Sequence, residues 1–238
     1  MSHAGFAAPI SVAIKMRQKI RPLLFRLLFP IHTYWNRKPR QTQIDHLSLR
    51  IEPRVFDPGR HFSSKILARY IASLDLSGCR VLDMGTGSGI IGITAALQGA
   101  GVIAVDINPE AVRLASSNAQ THQVAAKMRA LCGDLFSSLS PSLKFDWIIF
   151  NPPFFPRPAA PSLQAAYNAG DDYGIIADFL QQAKNFLAPA GKVLMIFSSD
   201  MDLNELQNLL ARFHYRVAHC EIKPHLFEMF YLVQLAAR

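Results

Sequence analysis

Residues 150–156 read Phe-Asn-Pro-Pro-Phe-Phe-Pro, at the end of the apolar run Phe145 to Phe150, which reads as a buried strand. A plain turn there would favour glycine or Asn-Gly. Two consecutive prolines do something else. Each fixes its own φ and lacks an N–H, and each pushes the preceding residue toward an extended backbone. The exit is therefore stiff, and its carbonyl oxygens point in set directions with few donors nearby. Asn151 adds a side-chain amide oxygen and Phe154 a flat apolar face. Together these would make a socket that accepts two hydrogen bonds from an –NH2 group while an aromatic ring covers its plane. The alternative is a rigid Pro-rich loop with its phenylalanines tucked into the core. The heptapeptide alone does not separate the two.

The residues upstream do. Val81 to Gly92, Val-Leu-Asp-Met-Gly-Thr-Gly-Ser-Gly-Ile-Ile-Gly, follows a strand and opens a helix. Gly85, Gly87 and Gly89 allow positive φ and close approach of the backbone to a ligand. Asp106 lies 21 residues after Gly85 (106 − 85), at the end of the next strand, where a carboxylate can accept from both hydroxyls of a ribose. That suits an adenosine-containing cofactor. An NAD site fits less well. Its G-x-G-x-x-G fingerprint sets a pyrophosphate on the helix N-terminus. Here the spacing is G-x-G-x-G, and Asp83 ends the first strand, where it would repel a pyrophosphate and suit a cationic amine and sulfonium. Asp134, just past a third strand, can accept from an adenine amino group. Four strands thus deliver Asp83, Asp106, Asp134 and Asn151 to the carboxyl edge of one sheet, where open α/β folds bind ligands. The structural alternative is that Asp83 caps the following turn and Asp106 binds only neighbouring backbone.

The elements that must hold these residues alternate. Ser63 to Leu74 reads as a helix capped by Ser63 or Ser64. Arg80 to Met84 is a strand, Gly89 to Gln98 a helix, Gly101 to Ile107 a strand. Pro109 to Thr121 is a helix with Asn108 as N-cap. Lys127 to Leu131 and Phe145 to Phe150 are strands, Tyr173 to Leu187 a helix, Lys192 to Phe197 a strand, and Asp202 to Phe213 a helix. Two extended runs close the chain, Tyr215 to Ile222 and Glu228 to Leu235. The alternation predicts an α/β, Rossmann-like, doubly wound and mostly parallel seven-stranded sheet. Its last two strands, with no helix between them, form an antiparallel edge hairpin. His46 to Ile51 alternates and reads as the first arm of another hairpin, after an exposed linker from Trp35 to Gln41.

Of the 238 residues, the first 60 hold 11 Lys/Arg and 3 Asp/Glu, a balance of +8; the rest hold 14 of each. All the basic excess therefore sits in the N-terminal quarter, most of it in an N-terminal arm, residues 1–45, before a body of residues 46–238. Such an arm points to an anionic partner. Ser11 to Phe29 is basic and amphipathic, which leaves packing on the body, contact with RNA or a membrane surface, or an organelle address as readings. No apolar run approaches the ~20 residues of a membrane span. Three scattered cysteines, Cys79, Cys132 and Cys220, imply a reducing, cytoplasmic setting, with Cys79 and Cys132 acting as small buried hydrophobes. Eight histidines without a His/Cys cluster predict no metal site. His61 and Phe62 sit where a cofactor lid could form, and we expect no catalytic part for them.

The motifs Val-Leu-Asp-Met-Gly-Thr-Gly-Ser-Gly, Val-Asp-Ile-Asn-Pro-Glu-Ala-Val, Gly-Asp-Leu-Phe and Asn-Pro-Pro-Phe, in this order, resemble the class I S-adenosylmethionine-dependent methyltransferases. More narrowly, they resemble the N-methyltransferase branch with an N-P-P-[FYW] signature. That branch includes the HemK/PrmC-type glutamine methyltransferases of release factors and small-domain RNA methyltransferases. The resemblance covers about Val55 to Leu235. It implies S-adenosyl-L-methionine as cofactor, with Asp83, Gly85, Thr86, Gly87 and Gly89 around its methionine end. Asp106 and Ile107 would lie at the ribose, Asp134 and Leu135 at the adenine, and Asn151 beside the reacting end. Asn151, Pro152, Pro153 and Phe154 would bind the acceptor, with Asn151, Pro152 and Phe154 serving catalysis. Tyr167 to Gly174 resembles the loop that follows in the glutamine enzymes. Phe154 replaces their usual Tyr, and Val55 to Ser64 lacks an acidic residue expected before the first helix. The implied reaction is methylation of a planar nitrogen, first a protein glutamine N5 of release-factor type. The alternatives are adenine N6 or guanine N2 of RNA, or a small-molecule amine. A non-catalytic module that keeps the fold is the rival of another class, and the intact Asn151-Pro152-Pro153-Phe154 argues against it.

Overall fold

The computed structural model describes residues 38–59, 61–153, 173–225 and 228–237. In chain order they form β1 (Arg40–Ile44), β2 (Leu47–Ile51), α1 (Phe62–Ala72), β3 (Arg80–Met84), α2 (Ile90–Leu97), β4 (Gly101–Asp106), α3 (Pro109–Thr121), β5 (Met128–Cys132) and β6 (Phe145–Phe150). There follow α4 (Gly174–Ala183), a 3-10 turn at Lys184–Phe186, β7 (Leu187–Ser198), α5 (Leu203–Arg212), β8 (Tyr215–Pro224) and β9 (Met229–Ala237).

The seven-stranded sheet has the order β5-β4-β3-β6-β7-β9-β8. The five strands from β5 to β7 run parallel, and β9 and β8 complete the sheet antiparallel. From β3 the chain winds first toward β4 and β5, then returns to place β6 on the other side. That reversal opens a crevice between β3 and β6 at the carboxyl edge.

Both faces of the sheet are covered, which is why its strands read as apolar runs rather than as an alternation. One face buries Leu82, Ile148, Phe150 and Phe197 against Phe179 of α4 and Leu206 of α5. The other buries Val81, Ile149 and Leu194 against Leu67 of α1, Ile93 of α2 and Ala115 of α3. Each such fully buried aliphatic or aromatic side chain contributes about 1.5–3 kcal/mol, so the site edge rests on a rigid, two-sided core.

Several local expectations are corrected. The strand from His46 to Ile51 is the second arm of a hairpin, not the first. β1 pairs with it in the register Ile44↔Leu47 and Arg40↔Ile51, so Arg40 and Gln41 are strand, not linker. The run Arg-Gln-Thr-Gln-Ile carries one apolar residue, and what fixes it is an ion pair from Arg40 to the buried Asp57. The cap of α1 is His61, with no side-chain cap bond, and Ser63 and Ser64 are buried inside its first turn. β7 begins at Leu187, not Lys192, because Leu187 pairs with Phe145 before the register shifts to Lys192 opposite Trp147. Cys132 is exposed and Cys79 half-buried, so neither fills the core. The helix expected to reach Leu187 ends at Ala183 and passes into the 3-10 turn Lys184–Phe186, and the other strand and helix ends move by a residue or two. Residues 1–37, Phe154, and most of Tyr167 to Gly174 lie outside the described residues. No described helix is long and apolar enough to cross a membrane.

Candidate functional site

β3 leads straight into the glycine turn. The N–H groups of Gly85 and Thr86 both donate to the Val105 carbonyl, at 2.8 and 3.0 Å, and tie the turn to the end of β4. Gly85, Gly87 and Gly89 have φ of 68°, 55° and 88°. An alternating run of left-handed residues is open to glycine and closed to side chains. At Gly89 a Cβ would also meet the backbone and side chain of Ala115 at 3.1 Å, so the turn lies directly on α3.

Asp83 is 2% exposed. Its Oδ2 accepts from Thr86 Oγ1 at 2.6 Å and from the Gly92 N–H at 3.0 Å. Burial pushes its carboxyl up to about 7; the two hydrogen bonds oppose the rise, and the nearby Asp106 adds to it. The Oδ2 of Asp106 accepts from the Gly87 N–H at 2.8 Å, and its Oδ1 from the Asn108 N–H at 2.9 Å. Desolvation raises its carboxyl too, against those same two bonds. Both acids therefore make the local bonds that the structural alternative anticipated. A carboxylate offers about four lone-pair positions, so neither has spent its accepting capacity.

The strand registers set these residues side by side. Asp106 pairs with Cys132, and Met84 pairs with both Val105 and Phe150. Gly85 therefore lies between Asp106 and Asn151 in one row across β4, β3 and β6. Two strand spacings make that row about 10 Å long. Asp134 is exposed just beyond β5, and Leu135, at φ 46°, packs on the core beside it. Ile107 is 67% exposed at the end of β4, and Thr86 is buried within the turn.

At the end of β6 stands Asn151. Its Nδ2 donates to Ser64 Oγ at 3.1 Å, while its Oδ1 is buried and has no hydrogen-bond partner among the described residues. Leaving such an acceptor unpaired costs about 1–3 kcal/mol. Pro152 follows, buried, and Pro153, half-buried. The hydroxyl of Ser88 in the glycine turn is likewise buried without a partner. Open acceptors, a bare glycine turn and two acids suit a nucleoside with a cationic tail on one side of the crevice and an –NH2 donor on the other. Among the described residues no group of three His, Cys, Asp or Glu could hold a metal ion. A shallow groove of about 440 Å³, lined by Asp75, Leu97 and Gly99 among others, opens where chain enters β3 and β4, away from this edge.

Two residues of the site escaped the sequence reading. Ser64 was taken for a cap. Asn118 was passed over, although it falls on the apolar face of α3 with Ala111, Leu114 and Ala115. A polar residue at that spacing is the signal that could have found it. It is 1% exposed and fully bonded. Its Oδ1 accepts from the Arg50 N–H at 3.0 Å, and its Nδ2 donates to the carbonyls of Arg50 at 3.0 Å and Ser88 at 2.8 Å.

Comparison with known proteins gives one family. The model of the family described as Methyltransferase small domain matches residues 47–223. A protein of Methanocaldococcus jannaschii, whose name assigns it provisionally as a protein N5-glutamine methyltransferase, is 32% identical over 74% of this chain and 88% of its own length. The release factor glutamine methyltransferase of Moorella thermoacetica is 33% identical over 65% of this chain, which spans 58% of that enzyme. The tRNA1(Val) (adenine(37)-N6)-methyltransferase of Bacteroides fragilis is 30% identical over 52% of this chain and 54% of its own. In fold, the chain superposes on a ribosomal protein L11 methylase of Lactobacillus delbrueckii subsp. bulgaricus with a TM-score of 0.59 at 19% identity, over 84% of this chain and 99% of that one.

Proposed function

We propose which nitrogen this chain methylates, given that it belongs to the S-adenosylmethionine-dependent methyltransferases of the small-domain family: the side-chain N5 of a protein glutamine. When bound, S-adenosylmethionine supplies an electrophilic methyl on a sulfonium. Asp83 and the turn of Gly85, Thr86, Gly87 and Gly89 receive its cationic methionine end. Asp106 and Ile107 take the ribose, and Asp134 and Leu135 the adenine. The buried Asp83 and the half-buried Asp106 each add favourable charge toward a cation.

The acceptor side carries the chemistry of this chain. An amide nitrogen is a poor nucleophile because its lone pair is delocalised into the carbonyl. The Oδ1 of Asn151 and the carbonyl of Pro152 accept its two hydrogens, return electron density to nitrogen and aim the lone pair across the crevice. Phe154, outside the described residues, stands where the resemblance assigns an aromatic to the amide plane. No strong base is needed, since alkylation itself makes the nitrogen acidic. The observation that carries this reading is the buried Oδ1 of Asn151, which has no hydrogen-bond partner among the described residues. The 88% coverage of the archaeal relative at 32% identity supports glutamine over other planar nitrogens.

Incubation with methyl-labelled S-adenosylmethionine and either release factor or tRNA tests it. The expected result is label in the release factor, located on a glutamine side chain by tandem mass spectrometry. Label confined to an adenine would replace this reading with a second one, adenine N6 of RNA. That second reading is favoured by the 11 Lys/Arg against 3 Asp/Glu in the first 60 residues. Under it, removing residues 1–37, a cut that spares β1 and the Arg40 ion pair, should flatten the salt dependence of transfer. Each lost phosphate contact lowers the log–log slope by about 0.7–0.9.

A further inference from the structure

We infer that Ser64 is the positioning residue that pins the amide of Asn151 in place for the methyl acceptor. The inference rests on the reading of Asn151 given above and extends it to a residue on a different element. Ser64 lies in the first turn of α1, where serines commonly cap a helix. This serine does not: the N-cap is His61, and no side-chain cap bond is made there. Instead, the hydroxyl of Ser64, 3% exposed, accepts from Asn151 Nδ2 at 3.1 Å, across 87 residues of chain.

The two ends of a carboxamide differ only in whether they donate or accept, and nothing in its shape keeps it from turning over. Asn151 follows a strand and precedes Pro152, so its backbone is stiff. Its side chain still has two orientations. In the structure Nδ2 is paired with Ser64 and Oδ1 is left buried and unbonded among the described residues; a hydroxyl can pair with either end of the amide, so Ser64 holds the group still and the –NH2 of the acceptor selects the oxygen. The reverse orientation would set an –NH2 of Asn151 against the –NH2 of the acceptor, donor against donor. α1 thereby acts on the reaction through Asn151 without touching either substrate.

The test makes two measurements on the full-length chain. The first is single-turnover transfer of labelled methyl to release factor or tRNA, whichever accepts it. Ser64→Ala should slow transfer roughly tenfold, the worth of one lost hydrogen bond, with unchanged S-adenosylmethionine Kd. In an Asn151→Ala background the same substitution should add nothing, because the two residues act as one. The second follows the Nδ2 hydrogens of Asn151 by NMR, identified by their loss in Asn151→Ala. They should give two separated, slowly exchanging signals in the wild-type chain and faster exchange in Ser64→Ala. Slowing that persists without Asn151, or that comes with weaker cofactor binding, would assign Ser64 a packing role and overturn the inference. So would Ser64→Ala at full rate while Asn151→Ala is impaired, and that result would leave the reading of Asn151 standing. If the wild-type chain methylates neither acceptor, the proposed function fails instead, and the NMR signals alone decide whether Ser64 holds the amide.

Discussion

The two sides of the crevice are built on different plans. On the side of β3 and β4, the carboxyls are already engaged with their own chain: Asp83 with Thr86 and Gly92, Asp106 with Gly87 and Asn108. On the side of β6, Asn151 gives its donor to Ser64 and leaves its acceptor buried and open. The first side spends charge on its own folding and keeps spare lone pairs for a ligand. The second bears a group that no described residue satisfies and that an incoming donor would. A site that must hold one common cofactor gains from rigidity, whereas one that must activate a nitrogen gains from an acceptor that is free when the nitrogen arrives. Ser88, with its buried hydroxyl unbonded, is the exception on the first side.

Four substitutions break or sharpen that contrast. The largest effect belongs to Asn151→Ala. Turnover should fall by ~10²–10³, the scale for loss of one preorganised polar group, while calorimetry finds the cofactor Kd nearly unchanged. Weakened cofactor binding would erase the division between the two sides. Next, Asp106→Ala removes a charged acceptor from a ribose and from two backbone N–H groups. At ~1.5–3 kcal/mol for a charged hydrogen bond, S-adenosylmethionine affinity should drop by at least tenfold in titration calorimetry. An unchanged Kd would place the ribose elsewhere. Third, Asn118→Ala leaves an N–H and two carbonyls unpaired around the glycine turn. Denaturant unfolding should show a loss of about 2–3 kcal/mol, with the acceptor side unaffected in the folded fraction.

The smallest effect is one of pH. An Asp83 carboxyl near 7 is half-protonated at neutrality, and a cationic ligand favours its charged form. Cofactor affinity should therefore rise as pH rises, by no more than about tenfold between pH 6 and 8, and Asp83→Asn should flatten that rise. Stability should move the opposite way. Charging Asp83 is costly in the fold, so stability present below its ordinary value of 3.8 is lost as pH rises through about 7. Urea midpoints across that range, with and without Asp83→Asn, measure it.

How far this was legible in the sequence depends on whether a residue answers to its neighbours or to something distant in the chain. The parallel sheet and the antiparallel finish follow from apolar runs and turn residues, and they stand as read. So does Asn108 as cap of α3, where its Oδ1 accepts from the Glu110 N–H at 2.9 Å. β1 was missed because it is polar and owes its place to Asp57, 17 residues on. Ser64 was misread because the rule for a serine before a helix is local, whereas its partner is not. The bonds of Asn118 to Arg50 and Ser88 join three segments that no periodicity connects. The order of the four site strands was legible; which side of the crevice would satisfy itself was not, because that depends on hydrogen bonds between elements.

The Asn118 amide also has a mechanical consequence. β1 is where residues 1–37 join the described fold, and β2, its partner, is bolted at Arg50 to Asn118 by two hydrogen bonds, with a third from the same amide to Ser88. His122 Nε2 meets the Ser48 carbonyl at 2.9 Å and braces the joint one turn further along α3. Hairpin, helix and glycine turn thus form a linkage. A pull on β1 would reach the carbonyl of Ser88 through the Asn118 side chain, beside the apolar packing of Leu49 and Ile51 on the sheet.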